Sequence, residues 1–290
     1  MAFNFNERNQ DGVLVVDALN LAFRWKHQGR TDFRDQYVET VKSLATSYNC
    51  GKVIITADWG SSSYRKEILP EYKQNRKDKY AEQTEAEKQA FIDFFEEYEE
   101  TLELLSESFE VLRYKGVEAD DLAAHLVKRR KDYGLENIWL VSSDRDWDLL
   151  IQDGVSRFSY VTRKEVTIDN WHEHYEVKPE EYISFKCLTG DKGDNVPGIN
   201  GIGPKRAQQL IEQYGDAMSI YDCIPIDGKY KYIQELNENA EVLLKNYELM
   251  DLVTYCDDAI GKDNVSNIEE RMVEWISIKV LFIKADTHDG

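Results

Sequence analysis

Nine carboxylates stand where a fold could gather them. Asp17 closes the apolar run V-L-V-V-D, Asp58 closes K-V-I-I-T-A-D, and Asp144 closes N-I-W-L-V-S-S-D, with Asp146 two residues on. The segment G-V-E-A-D-D-L-A-A adds Glu118, Asp120 and Asp121, and the glycine-bracketed G-D-K-G-D-N adds Asp191 and Asp194. Taken singly, a strand-end aspartate is most often a helix N-cap or turn residue, and acids in a first helical turn complement the macrodipole. The macrodipole explains one or two acids better than three in four positions. Glu118 and Asp121, three apart, share a helix face. Carboxylates converging in one cleft repel unless cations neutralise them. All are oxygen donors, and no His or Cys spacing resembles a zinc site. The H-E-H segment (His172, Glu173, His174) reads as surface. Hard oxygen ligands with room for water favour Mg²⁺ or Mn²⁺. Two such ions at ~3.5–4 Å activate a water and stabilise a transferring phosphate, so the chemistry expected is metal-assisted phosphodiester hydrolysis. Asp148 and Asp153 are set aside; Asp148, after Trp147 in an expected helix, should face solvent or cap.

A phosphodiester substrate needs cations, and the chain of 290 residues carries a net charge of −19. A uniformly acidic surface would repel phosphate, but the charge segregates. Between Arg65 and Lys79 stand six basic residues against three acidic, so that window is +3 and the remainder −22. In L-P-E-Y-K-Q-N-R-K-D-K, Tyr72 is expected to stack on a base, with Lys73, Arg76 and Lys77 near phosphate, as suits a single strand. An ordinary solvated face is the alternative. V-P-G-I-N-G-I-G-P-K-R-A fits neither a dinucleotide fingerprint, lacking the third glycine, nor a P-loop, since Pro204 stands where the lysine should be. It fits a helix–hairpin–helix: a tight turn through Gly201 and Gly203 exposes backbone N–H groups beside Lys205 and Arg206, a geometry that holds phosphate without reading bases. A purely structural glycine turn is the alternative.

The elements that must position these residues follow from periodicity. Val13–Asp17, Lys52–Asp58, Phe109–Tyr114, Asn137–Asp144 and Val155–Tyr160 read as strands. Asp35–Tyr48, Glu85–Phe109 and Glu118–Arg130 read as helices, the second a long amphipathic one through Phe91, Phe94, Phe95, Tyr98, Leu102 and Leu105. Strands alternating with helices imply an α/β fold with a mostly parallel sheet, whose ligands bind beyond the carboxyl ends of the strands. Beyond about Asp169 the pattern turns helical. No apolar run approaches the ~18–20 residues of a membrane helix, and the polar first twelve residues lack a signal-peptide core. Four scattered cysteines read as reduced thiols of a cytoplasmic protein.

Together, VVDALNLAFR, the aspartate of ITAD, LPEYKQNRKDKY, GVEADD, SSDRDWDLL and GDKGDNVPGINGIGPKRA resemble the 5′-nuclease family: flap endonucleases, the 5′→3′ exonuclease domain of bacterial DNA polymerase I, and above all stand-alone bacteriophage enzymes. The similarity spans about Val13 to Leu252. It implies a PIN-like parallel core, a helical arch over the active site and a helix–hairpin–helix that grips duplex DNA. Residues 1–12 then form a flexible N-terminus, 13–168 the nuclease core with the arch at about 70–105, and 169–290 a helical region with the hairpin motif at about 184–214.

By the same resemblance, Asp17, Asp58, Glu118, Asp120 and Asp121 form one metal cluster, and Asp144, Asp146, Asp191 and Asp194 complete or adjoin a second. Lys73 matches the arch lysine at the scissile phosphate, Arg76 its companion, and Lys186 the basic residue before the G-D-x-G-D loop. The implied cofactors are two or more Mg²⁺, with Mn²⁺ able to substitute, and K⁺ at the hairpin. The implied activity is structure-specific cleavage at 5′-flap and RNA–DNA primer junctions, leaving 5′-phosphate, by a monomer acting in replication, with RNase H activity included. No sliding-clamp peptide stands in Glu269–Gly290. A catalytically silent junction-binding scaffold and a ribonuclease of the same core are the alternatives.

Overall fold

The computed structural model describes the backbone of residues 9–286 and the side chains of 12–275. Strand β1 (Asn9–Asp17) is followed by helices α1 (Ala18–Lys26) and α2 (Arg34–Ser47), then β2 (Cys50–Thr56). Helices α3 (Ser63–Ile68), α4 (Gln74–Ala81) and α5 (Glu85–Ser106) lead to β3 (Glu110–Leu112), α6 (Ala119–Lys128) and β4 (Asn137–Val141). Strands β5 (Val155–Ser159) and β6 (Lys164–Val166) complete a sheet of order β3-β2-β1-β4-β5-β6. It is parallel except for the β5–β6 pair. The expected fifth strand thus ends in an antiparallel hairpin through Arg163, whose φ of 58° makes the turn.

The α/β expectation holds, and its reason is visible in β1. Successive side chains of a strand point to opposite faces. Val13 and Val15 join the core that includes Leu122 and Leu126 of α6, while Leu14 and Val16 join the core that includes Val41 of α2 and Phe94, Tyr98 and Leu105 of α5. Both faces are covered, so the strand reads as a continuous apolar run. The chain steps outward from β1 through β2 to β3, then returns to β1's other edge with β4. That reversal opens the crevice where parallel sheets bind ligands, and Asp17 and Asp144 flank it.

The helical part contains α7 (Tyr182–Thr189), a short ladder of β7 (Gly190–Asp191) with β8 (Val196–Pro197), then α8 (Pro204–Tyr214), α9 (Ala217–Asp222), α10 (Lys231–Glu238) and α11 (Glu241–Met250). Its core is separate, yet Leu69 and Tyr72 from the basic window belong to it. Helices α12 (Leu252–Ile260) and α13 (Lys262–Asp286) return to the sheet: Leu252, Cys256, Ile260, Ile268 and Met272 pack with α6. The last helices of the expected 169–290 region therefore share the core of the first.

Residues 1–8 of the expected flexible N-terminus lie outside the described residues, whereas Asn9–Gly12 belong to β1. Of the tail scanned for a clamp peptide, α13 carries Glu269 to Asp286, and 287–290 lie outside the described residues. No helix among the described residues is long and apolar enough to cross a membrane, and all four cysteines are free thiols.

Candidate active site

The strand-end acids are both caps and members of one field. Asp17 ends β1 and N-caps α1: Oδ1 accepts from Asn20 N at 3.1 Å, and Oδ2 accepts from Ser142 Oγ at 2.8 Å. Asp58, two residues past β2, accepts the N–H of Ala119 at the start of α6 at 2.6 Å. Asp120 accepts from the indole N–H of Trp147 at 2.5 Å. Asp144 accepts from Asp146 N at 3.0 Å. Each cap uses a lone pair or two and leaves the rest of the carboxylate free.

Their proximity shows in their electrostatics. Burial pushes the Asp17 carboxyl up to about 8, and repulsion from Asp58 and Asp144 adds to it. Burial and the charge of Glu118 raise Asp58 to about 6. Asp120 is raised by burial, then by Asp144, Asp17 and Asp58. Asp146 reaches about 6, where burial, Asp144 and Asp191 outweigh Lys186. Seven of the nine expected acids are thus linked by mutual repulsion.

Asp194 enters through cations. It receives Arg76 at 2.6 Å and Tyr72 Oη at 2.8 Å, with Lys73 3.5 Å away. Lys73 also donates to Glu118 at 2.9 Å. Burial would raise Glu118, but Lys73 and Arg65 hold its carboxyl below the usual range. Lys186 bridges Asp146 and Asp191, reaching the latter at 2.9 Å, and Asp191 is lowered because that ammonium outweighs burial. The loop approaches closely because Gly190 and Gly198 lie backbone to backbone; a Cβ on Gly190 would come 2.2 Å from Gly198 N.

Three expectations are corrected. Asp121 is not a free ligand: its side chain is fully buried, with both oxygens bound to Arg65 at 2.7 and 2.8 Å. The expected shared face exists, since Arg65 also reaches Glu118 at 3.4 Å, but a protein cation occupies it. Tyr72 is not displayed for stacking on a base. Its ring is buried in the helical core, and its hydroxyl, with one proton to donate, lies between two acids, 3.0 Å from Glu118 and 2.8 Å from Asp194. Asp148 does not face solvent; it is buried against Arg157 and also receives the Tyr175 hydroxyl.

Lys77 is exposed on α4, which buries none of its side chains. The stretch expected to form the arch comprises α4 and the exposed first turns of α5, while Phe94, Tyr98, Leu102 and Leu105 of α5 belong to the core. Lys73 takes the left-handed conformation at the N-cap of α4, with φ 56°. At the hairpin, Gly201 turns with φ +79°, and Gly203 precedes Pro204, the first residue of α8. Lys205 is exposed, whereas Arg206 braces the turn by donating to Gly201 O at 2.5 Å and lies over the Tyr232 ring. His172 and Glu173 are exposed as expected.

Sequence reasoning missed Arg65, Ser142 and Trp147, which hold Asp121, Asp17 and Asp120. Each sits within or beside a motif already singled out, but nothing local announces its partner.

As the side chains stand, no group of three or more His, Cys, Asp or Glu among the described residues closes around one point. The ammonium groups of Lys73 and Lys186 bridge acids instead. The donor set of carboxylate oxygens still fits hard divalent ions.

Residues 12–176 match the family model "5′-3′ exonuclease, N-terminal resolvase-like domain", and 177–270 match "5′-3′ exonuclease, C-terminal SAM fold". The chain belongs to the 5′-3′ exonuclease family. Among members of that family, it is 43% identical over 267 residues to the flap endonuclease of Escherichia phage T5, covering 90% of this chain and 91% of that protein. Its fold matches a crystal structure of the T5 flap endonuclease in a pseudo-enzyme-product complex with DNA and metal ions, with TM-score 0.88 and 42% identity over 92% of this chain and 99% of that one. A T5 5′-exonuclease structure with bound divalent zinc ions matches at TM-score 0.88 and 43% identity, over 91% of this chain and 99% of that one. The 5′-3′ exonuclease resemblance read from the motifs is therefore borne out, as is the resolvase-like core joined to a helical C-terminal part.

Proposed function

We propose that this member of the 5′-3′ exonuclease family is a divalent-ion-dependent, structure-specific 5′-nuclease. It binds the junction of duplex and 5′ single strand and hydrolyses one phosphodiester, leaving 5′-phosphate and 3′-hydroxyl. The observation that carries this is the cluster of Asp17, Asp58, Asp120 and Asp144: four buried or half-buried acids from separate elements, mutually repelling and without a cation in contact among the described residues. Asp17, Asp58, Glu118 and Asp120 would hold one ion, and Asp144, Asp146, Asp191 and Asp194 would hold or adjoin a second. Such ions, when bound, supply an activated water and charge stabilisation at the transferring phosphate. Mg²⁺ is the ion we favour, with Mn²⁺ as substitute.

Lys73 lies against Glu118 beneath the arch, where its ammonium can turn to the scissile phosphate; Arg76 accompanies it. Lys186 performs the same service on the Asp146–Asp191 side. The single strand passes beneath α4 and the start of α5. The turn through Gly201 and Gly203, with Lys205, holds a duplex phosphate, and K⁺ seats there. The protein acts as a monomer in the host cytoplasm, removing flaps and RNA primers in replication. The T5 structures with DNA and with divalent ions support this reading.

The test uses a labelled 5′-flap DNA. Cleavage should require Mg²⁺ and stop with a chelator. Asp144→Asn should lose turnover by orders of magnitude while junction affinity, measured by fluorescence anisotropy in chelator, is kept. Wild-type turnover in that variant would overturn the metal assignment.

A further inference from the structure

Beside the acids lies a cleft of about 500 Å³ that the reading above leaves without an occupant. That size lies within the ~300–1,000 Å³ of small-ligand pockets. Leu19, Phe95 and Tyr98 give it an apolar wall, and it opens onto Asp58, Lys73 and Glu118. Trp59 stands at its side, the residue directly after Asp58, and is 50% exposed.

A singly exposed apolar ring is ordinary on a protein surface; what sets this one apart is its place at the cleft and the groups around it. Here the ring is held ready. Trp59 N donates to Val117 O at 3.3 Å, and Gly116 N donates to Trp59 O at 2.8 Å, so the turn before α6 fixes the backbone on both sides. The Arg113 guanidinium lies over the indole, 5.3 Å from its centroid. Arg113 is itself locked by two bonds of 2.6 Å to Glu99 and one of 3.3 Å to the Asp58 carbonyl. The cleft's other basic residues divide in two. Lys73 and Arg76 are paired with acids, whereas Lys66 and Lys77 form no ion pair among the described residues.

A rigid aromatic ring backed by a guanidinium, with unpaired ammonium groups beside it, is the apparatus that holds single-stranded nucleic acid. We propose that Trp59, backed by Arg113, is the stacking platform for an unpaired nucleobase of the 5′ single strand beside the scissile phosphodiester, with Lys66 and Lys77 taking the flanking phosphates. This rests on the nuclease reading and deepens it by naming the side chain that seats the strand. Every base presents a π-face, so the platform is indifferent to sequence. It replaces Tyr72, which the fold buries, in the role of stacking residue.

The test places 2-aminopurine, then an abasic residue, at each of the first three unpaired nucleotides of a 5′-flap. In chelator, binding of the wild-type protein should quench 2-aminopurine at one of these positions. Trp59→Ala should not quench it, and Trp59→Phe should do so in part. With Mg²⁺, Trp59→Ala should lower kcat/KM on the natural flap by roughly tenfold. An abasic residue at the quenched position should lower the wild-type value similarly, and the two changes together should cost no more than either alone. Equal quenching by wild type and Trp59→Ala, or additive losses in cleavage, would overturn the proposal, given matching thermal midpoints for the two proteins. Quenching by a wild-type chain that cleaves no flap would sink the nuclease reading and leave the stacking site standing.

Discussion

The acids of this cleft divide into two halves with different neighbours. Glu118, Asp121, Asp191 and Asp194 each touch an Arg or Lys of the same chain: Arg65, Lys73, Arg76 or Lys186. Asp17, Asp58 and Asp120 touch none among the described residues; their partners are two backbone N–H groups, a serine hydroxyl and an indole N–H. Each acid of the first half has a cation of the chain against it, fixed at Asp121 and, at Glu118, Asp191 and Asp194, one that an incoming metal ion would displace or share. The second is held in place by neutral donors that orient carboxylates without cancelling their charge, which is what a site for an external cation requires. Asp146 sits at the border, paired with Lys186 yet raised to about 6 by burial, Asp144 and Asp191.

The comparison breaks most visibly at Arg65. It binds Asp121 with two bonds and donates to Leu249 O at 2.8 Å, tying α3 to α6 and to the end of α11. Arg65→Ala would leave Asp121 buried without a partner, a loss of about 3–5 kcal/mol. Urea midpoints should show it, and a variant as stable as wild type would remove Asp121 from the neutralised half. Lys73→Ala should cost turnover roughly 10²–10³-fold, the usual range for losing one donor to transition-state charge, while duplex affinity changes little. A pure binding defect, read by separating kcat from KM, would contradict its placement.

The smallest effect concerns pH. In the metal-free protein, Asp17 titrates at about 8, and Asp58 and Asp146 at about 6, all above the ordinary 3.8. A raised acid stabilises the fold fully below its unfolded pKa and loses that contribution as pH climbs through the folded value. The thermal midpoint in chelator should therefore fall from about pH 4, more steeply until about 6, where Asp58 and Asp146 cease to contribute, and more gently until about 8, where Asp17 does. Excess Mg²⁺ should remove the fall, because ligands that bind only the fold stabilise it. Asp17→Asn should flatten the upper part in chelator. A midpoint independent of pH would deny that the unpaired half is strained.

Much of this was legible in the chain. The strands at Val13, Lys52 and Asn137 are unbroken apolar runs ending near acids, and their carboxyl-end position follows once a parallel sheet is inferred. The acids were recognisable because glycines and strand ends mark where a chain turns. What failed was assignment by exposure. Tyr72 lies among basic residues in sequence, yet its ring completes the helical core and its hydroxyl serves the acids. Asp148 follows a buried tryptophan and finds Arg157 across β5.

The amino-acid sequence alone determined the α/β core, the ends of its strands, the glycine turn and the set of candidate acids, because each depends on local periodicity and backbone freedom. Only the tertiary structure decided which acids remain available. Asp120 and Asp121 are adjacent, but a helix turns them to different faces: one meets the indole of Trp147, the other a guanidinium 56 residues away in the chain. Charge compensation in a buried site is set by distance in space, and no spacing along the chain carries that.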